Sequence, residues 1–192
     1  MDYPRPSGYE LTGHNDDFEW IELMARSPSG EIVRREFVRM GDQQRIRAFA
    51  SECNYAGFVA LHSICVYAKA ERASRYAVPF YLHVHCLNDL ERARKCLIES
   101  GEQLAIEMDT VEESFRAYFD GNDGFDLLVP FQVFDGFYSP WIFPLYTAMA
   151  KKHASWNPGL IEQGIYSAEY ACILSGSRHP HTGLYKDRKS VV

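Results

Sequence analysis

The strongest restriction on how this chain folds is a turn. Asp120-Gly121-Asn122-Asp123-Gly124 lies between two runs rich in aromatic and aliphatic residues, Phe115 to Phe119 and Phe125 to Val129. Glycine, Asn and Asp tolerate the positive φ that tight connections demand, so the segment predicts a β-hairpin. A second hairpin is expected where β-favouring residues from Phe18 to Ala25 and from Glu31 to Met40 flank Ser27-Pro28-Ser29-Gly30. Between and after them the spacing changes. Ile46, Phe49 and Ala50 recur at helical intervals within Gly41 to Asn54. Asn88, followed three residues later by Glu91, caps a predicted helix from Asp89 to about Ser100, with a second short helix over Glu102 to Met108. Gly57 to Ala68 and Pro79 to Cys86 read as central strands, Pro140 to Lys152 as a helix and Glu169 to Leu174 as a strand. Hairpins mixed with helices imply an α/β fold of the α+β, mixed-sheet kind.

The 192 residues, 46% of them hydrophobic and 14% aromatic, are enough for one ordinary domain with a substantial core. The expected organisation is a single domain over 1–192, with a loose Pro-, Gly- and Asp-rich lead-in (1–17), an N-terminal α/β flank (18–65) and a core that carries the motifs (66–186). No uncharged apolar run approaches the roughly 18 residues that cross a bilayer, so no membrane partner is expected. The start, Met1-Asp2-Tyr3-Pro4-Arg5-Pro6, has no secretory pattern. Five cysteines without a Cys-x-x-Cys pair argue against a disulfide framework or a zinc ribbon, and a reducing cytoplasm is the expected location. The net charge of −6 is unevenly spread: residues 98–139 carry one basic and ten acidic side chains, residues 140–192 six and three. Phosphate-rich ligands should therefore avoid the middle of the chain.

Two segments stand out chemically. Along Phe80-Tyr81-Leu82-His83-Val84-His85-Cys86, alternation puts Tyr81, His83 and His85 on one face of a strand. Two imidazoles about 6 to 7 Å apart can share a metal, or simply sit at a polar sheet edge. Near the C-terminus, Ser175-Gly176-Ser177-Arg178-His179-Pro180-His181-Thr182-Gly183-Leu184-Tyr185-Lys186 combines turn-forming residues with cationic donors, a composition suited to gripping phosphate oxygens. The aromatics Phe131, Phe134, Phe137, Tyr138, Trp141, Phe143 and Tyr146 suit either core packing or base stacking. Lys151, Lys152 and His153 suit either a nucleic-acid backbone or the C-terminal end of a helix dipole.

The segment Ser177-Arg178-His179-Pro180-His181-Thr182-Gly183 resembles the C-terminal signature (Ser-x-His-Pro-x-Thr-Gly) of the archaeo-eukaryotic primase small-subunit and primase-polymerase superfamily. Upstream parts follow in the same order: the Pro79-Phe80-Tyr81-Leu82 strand, the Tyr118-Phe119-Asp120-Gly121 hairpin with Gly124-Phe125, and Ile161-Glu162-Gln163-Gly164-Ile165-Tyr166-Ser167. The resemblance covers Val66 to Lys186 and implies a primase-like catalytic domain with an RRM-like half, a template-directed nucleotidyltransferase using Mg²⁺ or Mn²⁺ with DNA or RNA. It also implies a piece of a longer protein, since the family continues past the signature, and a setting in replication, mobile-element or defence biology.

Residue by residue, the resemblance also exposes departures. The family's Asp-x-Asp stands at His83 and His85, and its Ser-Gly-x-x-Gly-x-His at Asp120, Gly121, Asn122, Asp123, Gly124 and Asp126. Its third metal acid stands at Glu162, and its triphosphate-contacting histidine is kept as His179. Imidazoles favour softer metals than Mg²⁺, and carboxylates repel a triphosphate. The catalytic positions are thus His83, His85 and Glu162, and the nucleotide- or phosphate-binding candidates Ser177, Arg178, His179, Lys186, Gly121 and Asp126. The expected function is a noncatalytic nucleic-acid-binding or accessory module working with an active primase or helicase subunit. One alternative is an enzyme that holds Zn²⁺, Mn²⁺ or Fe²⁺ through His83, His85, Asp126 and Glu162; another is an active or engineered primase-polymerase domain.

Overall fold

The computed structural model describes residues 18–110, 115–134, 139 and 141–189. Both expected hairpins are present. The first joins β1 (Trp20–Arg26) to β2 (Ile32–Arg39) with Leu23 opposite Glu36, and the second joins β7 (Arg116–Phe119) to β8 (Gly124–Val129) with Tyr118 opposite Asp126. Helix α1 (Gln43–Ala56) starts where the Asp42 carboxylate accepts the Arg45 amide and stops at Gly57, whose φ of 72° suits glycine.

Three expectations need correction. The single strand expected over Gly57 to Ala68 is broken into β3 (Val59–Ser63) and β4 (Val66–Tyr67), because the Ser63 hydroxyl turns back to donate to the Cys65 carbonyl at 2.7 Å and accepts the Glu22 amide at 3.1 Å. β3 and β4 then pair side by side along one edge of β1, with Leu23 opposite His62 and Trp20 opposite Tyr67. The two helices expected between Asp89 and Met108 are one, α2 (Leu90–Glu107), and Gly101 lies buried within it facing Leu127 rather than ending it. Its cap is Asp89, which accepts the Arg92 amide at 2.9 Å, and not Asn88. Finally, the basic end of α3 (Ile142–Trp156) is only partly open: Lys151 is exposed, but half-buried Lys152 pairs with Glu107 at 2.6 Å and His153 is fully buried against Trp156.

The strands form two sheets. One runs β5 (Tyr76–Ala77), β4, β1, β3, β9 (Ala171–Ile173), with β2 on the other edge of β1; the other runs β10 (Asp187–Lys189), β7, β8, β6 (Phe80–His85). All pairings are antiparallel. The free edge of β6 is covered by the segment after α3, where the His85 amide donates to Leu160 and the Glu162 amide donates to the His83 carbonyl at 3.0 Å. The larger core lies between the second sheet and helices α2 and α3, around Phe80, Leu82, Val84, Leu104, Leu127 and Tyr146. A second cluster around Leu23, Phe49 and Cys53 lies under α1. Burial decides most of the aromatic segment: Tyr146 is fully buried and its hydroxyl donates to Val78, and Phe131 is buried, while Trp141 is 74% exposed. Phe137 and Tyr138 lie outside the described residues. All five cysteines are free, four of them buried and Cys86 half-buried. No described helix is long and apolar enough to cross a membrane.

Candidate functional site

The site grows from the register between β6 and β8. Antiparallel partners share a face, and His83 stands directly opposite Asp126. His83 Nδ1 meets Asp126 Oδ1 at 2.8 Å, and the other Asp126 oxygen takes the ammonium of Lys186, itself only 4% exposed. The result is a chain of three groups, imidazole, carboxylate and ammonium. Burial opposes ionisation of Asp126, but the Lys186 charge and the His83 hydrogen bond win and hold its carboxyl well below the usual range. Burial likewise disfavours the imidazolium of His83 and the ammonium of Lys186. The Asp126 carboxylate overcomes this in both and raises both pKa values.

Around this chain stand two further acids. His83 Nε2 lies 4.0 Å from Asp120 and 3.9 Å from Glu162, and its ring stacks on His85 with centroids 5.7 Å apart. Asp120 is partly occupied elsewhere, because its Oδ1 accepts the amides of Asn122 at 2.7 Å and Gly124 at 3.2 Å and so folds the hairpin turn. Gly124 has no substitute here: a Cβ would come within 2.4 Å of the Val84 carbonyl oxygen. Gly121, at φ +91°, is where the C-terminal loop closes on the hairpin. A Cβ there would meet His179 and Leu184, and its carbonyl accepts a hydrogen bond from Thr182.

Hairpin, β6 and loop enclose a cleft of about 300 Å³ whose lining includes Arg26, Tyr81, His83, Asp120, His179 and Lys186. This lies at the small end of the roughly 300 to 1,000 Å³ typical of ligand pockets. Of the residues picked out by sequence, His83, Asp126, His179 and Lys186 line this cleft, while Glu162 stands 3.9 Å from His83 Nε2, Gly121 packs on His179 and His85 stacks on His83. Ser177 and Arg178 do not line the cleft. Ser177 is fully buried and its hydroxyl accepts the Ala60 amide at 2.9 Å, a tie between the loop and β3. Arg178 is exposed and turned to Tyr185. Lys186, expected as an open phosphate grip, is bound internally to Asp126. Among the described residues, no three His, Cys, Asp or Glu side chains gather in a way that could hold a metal ion.

Sequence reasoning missed Arg26 and Cys172, which reach the cleft from β1 and β9. No local pattern marks either; the pairing of β9 with β3 brings β9, more than a hundred residues downstream, beside the N-terminal sheet. Burial pushes the Cys172 thiol up to about 12, so it stays protonated. It also lowers the pKa of His179, only partly offset by Asp120.

No protein-family model and no curated protein matches the sequence. Two solved structures share the fold. One is the archaeo-eukaryotic primase domain of the cyanophage S-2L primase-polymerase, with a TM-score of 0.52 and 12% identity over 95% of this chain and 85% of that one. The other is primase RepB', with a TM-score of 0.53 and 9% identity over 90% of this chain and 51% of that one, so the chain spans about half of that primase.

Proposed function

We propose that this chain, whose mixed α/β fold is that of the archaeo-eukaryotic primases, engages single-stranded nucleic acid without performing nucleotidyl transfer, as an accessory to an active primase or helicase subunit. The observation that carries this reading is the clasp on Asp126. Both of its oxygens are committed, one to His83 and one to Lys186. Nucleotidyl transfer of the family's kind needs hard oxygen ligands that bring two divalent cations to the phosphates. Here imidazoles stand at both positions of the strand pair, and the nearest buried carboxylate is already neutralised. Glu162 remains as an acid at a matching position, and a single free carboxylate offers too few hard oxygen ligands and too little negative charge for two Mg²⁺ ions. These residues do not fit a two-magnesium site. The His83 imidazole and the Lys186 ammonium satisfy the Asp126 carboxylate where β6 and β8 meet.

Nucleic-acid binding is supported by the fold and by charges on the opposite side of the cleft, where Arg26 has no carboxylate partner among the described residues. The test is a pair of assays on one preparation. Salt-sensitive binding of a labelled single strand is expected, together with no incorporation of nucleotides on a primed template in Mg²⁺ or Mn²⁺. Template-dependent incorporation that disappears in His83→Ala/His85→Ala would overturn the noncatalytic reading. Stoichiometric Zn, Mn or Fe by elemental mass spectrometry, lost in the same double variant, would favour metal-assisted chemistry instead.

A further inference from the structure

The C-terminal loop has a second, outer face, and that face is organised. Arg178 and Tyr185 lie opposite each other across the loop as an isolated antiparallel bridge. Arg178 Nε donates to the Tyr185 hydroxyl at 2.9 Å, and its guanidinium carbon sits 5.2 Å from the centre of the ring. The pair is open to solvent: Tyr185 is 47% exposed and its neighbour Leu184 53%. Exposed large apolar groups carried by a loop ordinarily signal a mobile tip, but this loop is fastened from below. The His179 amide donates to Leu184 at 2.7 Å, the Lys186 amide to Ser177 at 3.0 Å, and the Arg178 amide to the Asn54 side chain at 3.1 Å, while Asn54 Nδ2 donates to Gly176 at 2.9 Å. The fastening uses backbone groups and the side chains of Asn54, Ser177 and Thr182, so the two outer side chains are left to bond each other.

The charge is unusual too. Arg34, Arg35, Arg45, Arg72 and Arg94 each pair with a carboxylate, whereas Arg178 meets none among the described residues. Arg26, inside the cleft, and Arg178, outside it, are thus two guanidinium groups without a carboxylate partner among the described residues.

We infer that the Arg178–Tyr185 pair is a stacking ledge for a base of single-stranded nucleic acid outside the cleft, with Arg178 also meeting the adjacent backbone phosphate. The inference rests on the nucleic-acid reading above and names the surface that serves it. Aromatic rings bind unpaired bases with little sequence preference, and a guanidinium stacked on the ring extends the flat surface and supplies charge. The fixed loop removes the ordering cost that a mobile tip would carry.

The experiment is a fluorescence-anisotropy titration of labelled oligo-dT with the full chain at several salt concentrations. Tyr185→Ala and Arg178→Ala are each expected to weaken binding by about fivefold or more, and Tyr185→Phe, which keeps the ring, to stay within about twofold of the parent. Arg178→Ala should also make the logarithmic salt dependence shallower by about one, while Tyr185→Ala leaves the slope unchanged. Unchanged circular-dichroism melts of the variants establish that the fold is intact. Parent-like binding by both alanine variants overturns the ledge and leaves the nucleic-acid reading standing. A loss in Tyr185→Phe as large as in Tyr185→Ala also overturns it, because the ring would then not be the contact. No binding of oligo-dT by the parent chain overturns both.

Discussion

The hairpin side of the cleft and the loop side that extends beyond it carry opposite charges and treat them in opposite ways. On the hairpin side, Asp120 and Asp126 are 9% exposed and satisfied within the protein, by turn amides in one case and by His83 and Lys186 in the other. On the loop side, Arg178 stands on the outer face of the loop, turned to solvent, and Arg26 reaches the cleft from β1; neither has a carboxylate partner among the described residues. A charge that is neutralised inside the fold contributes to stability and specificity of packing; a charge left open contributes to recognition. The hairpin side is therefore expected to respond to substitution mainly in stability, and the loop side mainly in binding.

The largest effect should come from breaking the clasp. Lys186→Met leaves a buried carboxylate short of its cation and should cost about 3 to 5 kcal/mol in urea unfolding near neutral pH. Combining it with Asp126→Leu should return much of that loss; an equally unstable double variant would show that Lys186 matters for its packing and not its charge. Next, Gly124→Ala should cost about 3 kcal/mol, since the Cβ runs into backbone that has no flexible end to move away. A melt unchanged by this substitution would mean that the hairpin is not pressed against β6 as described.

His83→Ala removes a charge-assisted hydrogen bond and should cost about 1.5 to 3 kcal/mol at mildly acidic pH. The pH dependence sharpens the comparison. The folded pKa of His83 is raised above its ordinary 6.5, so its contribution is fully present below that value and is lost as pH rises through the folded pKa. The gap between parent and His83→Ala should therefore narrow from pH 6 toward alkaline pH. Other histidines work the other way: burial and then the Lys186 charge push His62 down to about 4, and burial lowers His153, so both lose stability as pH falls below 6.5. Comparing the parent with the variant, rather than reading the parent alone, isolates His83. A gap that widens with pH would contradict the assignment. The smallest effect belongs to Asn54→Ala, which releases the loop from α1 and should cost about 1 kcal/mol, read as a lower melting temperature.

Much of the fold was legible because local signals and tertiary structure agree. The hairpin turns, the alternating β6 strand and the helical stripe of α1 each depend on residues a few positions apart. The errors share a cause. Ser63 broke a strand through a hydrogen bond to its own neighbourhood that no periodicity reveals, and Gly101 stayed within α2 because Leu127 packs against it. For the site, alternation gave the shared face of His83 and His85, and resemblance pointed to Asp126, Glu162 and His179. That Lys186 would be consumed by Asp126, and that Ser177 would serve Ala60, was invisible: these partners lie sixty and more than a hundred residues away.

Composition and order along the chain determined a mixed α/β core, the two hairpins and the imidazoles at the strand positions, since these follow from propensity and alternation. Only the tertiary structure decided which charges are paired and which are open. Whether a carboxylate or a lysine is available to a ligand depends on who stands within about 3 Å of it, and that is set by sheet register and loop closure between segments remote in sequence.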